Sequence, residues 1–168
     1  MQYERESLGD GRKTFIPVIR HIILDSSPLS LLSNPNANPE VIAINQWSRD
    51  CVAGGHIFYI PEIIDYEVRR ELLRADKTAG IRKLGALKAS FKYVEITTAA
   101  MVCAAELWAM SRRQGLPTAH PKAIDVDVIL AAQALTLGVP ADDLIVATTN
   151  LDHLSQFVPA DLWTNIRP

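Results

Sequence analysis

The chain predicts an α/β protein built on a parallel sheet, and three observations carry that reading. Short apolar runs at 22–24 (IIL), 57–60 (IFYI) and 144–147 (LIVA) have the length and β-branched content of strands buried on both faces. Between them lie amphipathic stretches of 13–16 residues, long enough for helices that cross from one parallel strand to the next. Proline, asparagine and glycine cluster at the joints, as in SNPNANP at 33–39, and mark where elements end.

Size and composition fix the organisation. A chain of 168 residues, 48% hydrophobic and 21% charged, can bury one core and is read as one domain over residues 21–168. Residues 1–20 are polar, carry Gly9 and Gly11, and read as a poorly ordered extension. No run of about 18 uncharged apolar residues occurs, so no membrane span is expected. Glu4, Glu6 and Asp10 stand where a basic and then apolar leader would lie, which points to a cytoplasmic protein. Cys51 and Cys103 have no CxxC neighbour, fit neither a disulfide framework nor a zinc site, and read as core thiols.

Taken in order, the first strand is Ile22–Leu24, and Asp25 follows it directly. Ser26 and Ser27 suit a helix start and Pro28 its first turn, so a carboxylate stands at a strand-to-helix switch. In open α/β sheets ligands bind beyond the carboxyl ends of the strands. Asp25 is therefore either a helix cap or a site residue. Asn38 and Pro39 open a second helix that closes at Gly54-Gly55. The strand HIFYI leads to Pro61 and a third helix carrying Glu67, and Lys77–Phe91 forms a basic fourth helix. Tyr93–Ile96 is a third strand, and Thr98 caps a long helix that ends at Gly115-Leu116-Pro117. A loop containing His120 and Pro121 then precedes DVDVILAAQALTLG, whose Ala131, Ala132 and Ala134 let the helix pack close to the sheet. Asp125 and Asp127 fall in its first turn, where the helix dipole tolerates acids. Leu144–Thr149 is a fourth strand ending at Asn150, and Phe157–Trp163 an edge strand.

Charge is uneven along the chain. Between Arg69 and Lys92 eight basic residues face only Glu71 and Asp76, in a protein of net charge −2. That window is either a solvated helix face or a local track for a phosphate backbone. The fragment GDGRKT lacks P-loop spacing and follows no buried strand, and no GxGxxG follows any strand, so nucleotide-binding enzymes are disfavoured. A phosphatase of the haloacid-dehalogenase kind needs a second Asp two positions after Asp25, where Ser27 stands.

An Asp closing the first strand (IILDSS), a Glu on the helix after the second (IPEIIDYEVRREL), the helix start DVILAAQA and the strand end VATTNLDHL together resemble the PIN-domain ribonucleases. The similarity runs over about 21–163 and is closest in size to the VapC-type toxins of bacterial toxin–antitoxin systems. It implies a PIN-like three-layer α/β/α sandwich with a central parallel sheet of four to five strands. It implies that Asp25, Glu67 and Asp127 bind Mg²⁺ or Mn²⁺, that Asp125 is an auxiliary carboxylate, and that Ser27 is a small polar neighbour of the metal. Asn150 stands where the family's fourth acid is expected, and Asp152 is displaced by two residues. The resemblance further implies an RNA substrate, a cognate antitoxin and a homodimer. A PIN-like binding or scaffold module without useful catalysis is the alternative, and Asn150 is the feature in its favour.

The residue types suit the chemistry. Hydrolysing a phosphodiester needs water deprotonated near neutral pH and an anionic transition state neutralised, which a hard cation on carboxylate oxygens provides. No His or Cys pair has zinc spacing. Arg69, Arg70 and Arg74 share a helix with Glu67 and, with Lys83, are the candidate contacts to the RNA backbone. His120 and His153 are lone histidines of the kind that more often serve structure than catalysis.

Overall fold

The computed structural model describes residues 19–115 and 125–168. Five parallel strands form one sheet: β1 (His21–Leu24), β2 (Ile57–Pro61), β3 (Lys92–Val94), β4 (Leu144–Thr148) and β5 (Ala160–Leu162). Their spatial order is β3-β2-β1-β4-β5. Helices α1 (Ser26–Ser33) and α2 (Pro39–Ala53) connect β1 to β2, and α3 (Glu62–Arg74) and α4 (Thr78–Ser90) connect β2 to β3. Beyond β3 come α5 (Thr98–Arg113) and α6 (Val126–Leu135), and the four-residue α7 (Leu151–Leu154) precedes β5.

The strand order places β1 at the centre and makes the chain reverse its direction of travel between β1 and β4. Ile22, Ile23 and Leu24 are all but inaccessible, as a central parallel strand requires. Each contributes roughly 1.5–3 kcal/mol by burial, which anchors the strand that delivers Asp25. Leu24 pairs with Ala147 in the β1–β4 register, so the next residue on each strand, Asp25 and Thr148, emerges at the same level of the sheet. That level is the topological switch point.

Local chemistry explains the boundaries. Asn38 caps α2 through its side-chain oxygen on the Val41 N–H at 2.9 Å, as the Asn-Pro pair predicts. Thr97, not Thr98, caps α5, accepting from the Ala100 N–H at 3.0 Å. β3 stops at Val94 because the groups beyond it are taken from elsewhere: Gln133 binds the Val94 carbonyl and Glu62 the Ile96 N–H. The edge strand starts at Ala160 and not at Phe157, because the Phe157 and Val158 N–H groups close the end of α7 on the Leu154 carbonyl. Alanines 131, 132 and 134 are buried, and α6 packs by its small residues as expected.

Trp47 ties the C-terminal segment down, its indole N–H donating to the Ile166 carbonyl at 2.8 Å while its ring meets Phe58 and Trp163. Cys51 is a core thiol whose pKa burial pushes up to about 12. Cys103 is only half-buried, beside a small satellite cluster of Ala104, Val128 and Ala132. No described helix is long and apolar enough to cross a membrane.

Candidate active site

Asp25 caps α1 and also bonds across the β1–β4 junction. One carboxylate oxygen accepts the Ser26 N–H at 2.6 Å, which starts α1. The other accepts the Thr148 hydroxyl at 2.7 Å across the β1–β4 junction. The carboxylate is only 8% exposed, and each oxygen retains a further lone pair. Thr148 is wholly buried. Its oxygen also receives the Asn150 N–H at 2.9 Å, and the Asn150 carbonyl at 3.2 Å is a longer, second acceptor for its single proton.

Three further acids converge on this point. Glu67, on the second turn of α3, accepts a hydrogen bond from the Ser26 side chain and lies 3.6 Å from the Arg70 guanidinium. Burial raises its pKa above the ordinary glutamate value; Arg70 and Ser26 oppose this, and the charges of Asp25 and Asp127 add to it. Asp127, in the first turn of α6, is likewise raised, first by burial and then by Asp25. His153 opposes that rise, its Nδ1 standing 3.2 Å from the Asp127 carboxylate. Asp125 is buried, caps α6 by accepting the Val128 N–H at 3.3 Å, and adds its charge to Asp127's surroundings. These acids therefore repel one another across the ends of β1, α3 and α6.

The donor set fits a hard divalent cation, being all carboxylate oxygen with hydroxyl support. Among the described residues, no three acidic or imidazole groups stand close enough to share one ion directly. Mg²⁺ is suited to such a place, since it keeps several waters and is commonly held by one or two carboxylates. Asp25 and Asp127 are the residues that would hold it, with Glu67 and Asp125 beside them.

A cleft of about 780 Å³ opens between α1 and α3, and of the four acids Glu67 alone lines it. Ser26, Ser27, Glu67 and Thr149 line it, as do Arg74 at the end of α3, about 10 Å from Glu67 by helix rise, and Lys77 just before α4. Glu40 and Glu71 share its wall. Ser27 thus faces the cleft, while it is Ser26 that binds Glu67. Asn150 is exposed, starts α7, and makes no side-chain cap. Asp152 is exposed in the first turn of α7, and His120 lies outside the described residues.

The basic candidates are already engaged. Arg69 donates at 2.6 Å to Asp65, a buried carboxylate that also accepts from Tyr93. Lys83 donates to the Asn34 carbonyl at 2.8 Å. Arg70 lies over the Tyr66 ring and near Glu67 and Glu71, and Arg74 makes two bonds to Glu71 at the surface. The charge run therefore contains structural cations as well as solvated ones.

Thr148 and Gln133 are polar residues that the sequence does not single out, and Ser26, read as a helix start, also binds Glu67. For Thr148 a signal existed: a hydroxyl residue follows the last apolar run at the same register as Asp25.

A parallel sheet with acids gathered at its switch point defines the class, a PIN-like α/β fold. No family model matches the sequence, and no curated protein matches it. Among solved structures the chain is similar to a chain of VapBC2 from Rickettsia felis bound to a DNA fragment from the promoter, with TM-score 0.61 and 13% identity. That match covers 84% of this chain and 98% of the other. VapBC-1 from nontypeable Haemophilus influenzae gives 0.61 at 14% identity, covering 86% and 98%. DNA-bound VapBC from Salmonella typhimurium gives 0.55 at 18% identity, covering 86% and 99%. The fold is thus shared over nearly the whole length of these chains.

Proposed function

We propose that this protein is a metal-dependent endoribonuclease, the toxin of a toxin–antitoxin pair, acting through Asp25, Glu67, Asp127 and Asp125. The observation that carries the reading is the gathering of these acids, two of them with raised proton affinity, at the switch point of a PIN-like sheet. Bound Mg²⁺ or Mn²⁺ would supply a water acidic enough to deprotonate near neutral pH and positive charge for the phosphate.

The protein's own groups do the rest. Asp25 is held rigid by the Ser26 N–H and the Thr148 hydroxyl, so its free lone pairs keep a fixed direction. Asp127 would supply the second anchor from α6. Glu67, a stronger base than an exposed glutamate because it is partly buried, would orient water and accept its proton. Arg70, Arg74 and Lys83 would guide the backbone of the RNA by charge, while the charge of Arg69 is offset by Asp65. The similarity to VapBC chains supports a cognate antitoxin as partner, and a homodimer belongs to the same reading. The test is incubation of the purified protein with structured and unstructured RNA in Mg²⁺, Mn²⁺ or EDTA. Cleavage that needs the metal supports the proposal; intact RNA in every condition returns the chain to a scaffold role.

A further inference from the structure

Helix α3 carries Glu67 but begins without a cap of its own. Its N-cap residue is Pro61, which has no side-chain acceptor, and the first N–H groups of a helix have no partner within it. Ile63 is buried, so its N–H has no recourse to water. The partner comes from another helix: Gln133 of α6 accepts the Ile63 N–H at 3.3 Å through Oε1. Through Nε2 the same amide donates to the Val94 carbonyl at 2.7 Å, at the carboxyl end of β3. Gln133 is 1% exposed, the one polar residue among the largest fully buried side chains described.

The two helices so joined are those that present Glu67 and Asp127. Ile63 lies one turn before Glu67 on α3, and Gln133 lies six residues after Asp127 on α6. The surface of α6 around Gln133 is alanine at 131, 132 and 134. α3 is held in the core by Ile63, Ile64 and Val68, apolar contacts that are non-directional and leave its register against α6 to directional bonds. A glutamine amide fixes it, because acceptor and donor must each meet one backbone group.

We propose that Gln133 is a positioning residue that sets where Glu67 stands relative to Asp127. This rests on the nuclease reading of those acids. It acts through the backbone of α3 and touches neither metal nor RNA.

The test compares Gln133→Met, which keeps length and volume but loses both bonds, with wild type and with Ile44→Val, a core change in α2. Mn²⁺ affinity is read by electron paramagnetic resonance, and exchange of the Ile63 amide by NMR on the metal-free proteins. Gln133→Met is expected to weaken Mn²⁺ binding by about 10-fold, the lower end of what loss of a direct partner of a metal ligand costs, because Gln133 acts on Glu67 through the backbone of α3. It should also speed exchange at Ile63, whereas Ile44→Val should leave both as in wild type. If Gln133→Met does not fold, Gln133→Asn replaces it, since the shorter amide cannot reach both partners and should show the same two losses. Wild-type Mn²⁺ affinity in a folded variant, or an unchanged Ile63 amide, overturns the inference. If wild type takes up no Mn²⁺, the nuclease reading fails, and the Ile63 exchange alone decides whether Gln133 holds α3.

Discussion

Replacing Asp127 by asparagine should stabilise the metal-free protein at neutral pH and remove most of its response to metal. The carboxylate is partly buried and faces the charge of Asp25, which raises its pKa in the folded state. For an acid shifted in that direction, the stabilising contribution is fully present below the ordinary aspartate value near 4. It is lost as pH rises through the higher folded value. Each tenfold rise in its proton affinity therefore costs the charged folded state about 1.4 kcal/mol, or about 3–5 °C in a domain of this size. That figure is an upper one, because the Asp127 side chain keeps 31% of its exposure. The new amide can still bind His153 and loses only the charge. The difference in melting temperature between variant and wild type, measured in EDTA, should accordingly be near zero around pH 4 and open in favour of the variant toward pH 7. Metal reverses the order. An ion present at 100 times its dissociation constant stabilises wild type by about 2.7 kcal/mol, on the order of 5–10 °C. A variant that melts below wild type in EDTA at pH 7, or that keeps the full metal shift, would refute the repulsion argument.

Other outcomes follow from named contacts. Thr148→Val removes the buried donor to Asp25 and should cost about 1.5–3 kcal/mol in urea unfolding; an unchanged midpoint would mean the hydroxyl is not held there. Arg69→Gln uncovers the buried Asp65 carboxylate and should destabilise by about 1–3 kcal/mol. Arg74→Gln, at the surface, should alter stability by no more than about 0.5 kcal/mol while flattening the salt dependence of RNA binding by about 0.7 in log–log slope. Asn150→Asp adds a carboxylate at the start of α7 and should lower the melting temperature in EDTA but enlarge the rise with Mn²⁺; a smaller rise would place that position outside the metal's reach.

The three central strands were legible because they are short, apolar on both faces and punctuated by signals that obey local rules, as Asn38-Pro39 does. Asp25 was legible for the same reason, since a charged residue directly after IIL can only lie at the strand end. Asp125, read as a first-turn acid, is instead the cap of α6. What local pattern cannot carry is pairing across the chain. Thr148 meets Asp25, and Gln133 meets Ile63, over separations of 123 and 70 residues. Lys83 read as a free cation because its partner, the Asn34 carbonyl, is visible only once α4 and α1 are packed, whereas Asp65 stands one helical turn before Arg69 on α3, and what packing adds there is the burial of that carboxylate. The ends of β3 and β5 moved for a related reason, as side chains and a helix turn claimed backbone groups that a strand would otherwise use.

The central claim is that the acids at the carboxyl end of β1 work as one unit on RNA, and cleavage by single and double variants tests it most directly. Single-turnover rates in Mn²⁺ would be measured for wild type, Asp25→Asn, Glu67→Gln, Asp127→Asn and the Asp25→Asn/Asp127→Asn pair, each verified as folded by its melt. Groups that hold one ion together lose nearly everything when any is removed, so the double variant should be no slower than the slower single one. Wild-type-like cleavage by Asp25→Asn, or losses that multiply in the double variant, would contradict the account.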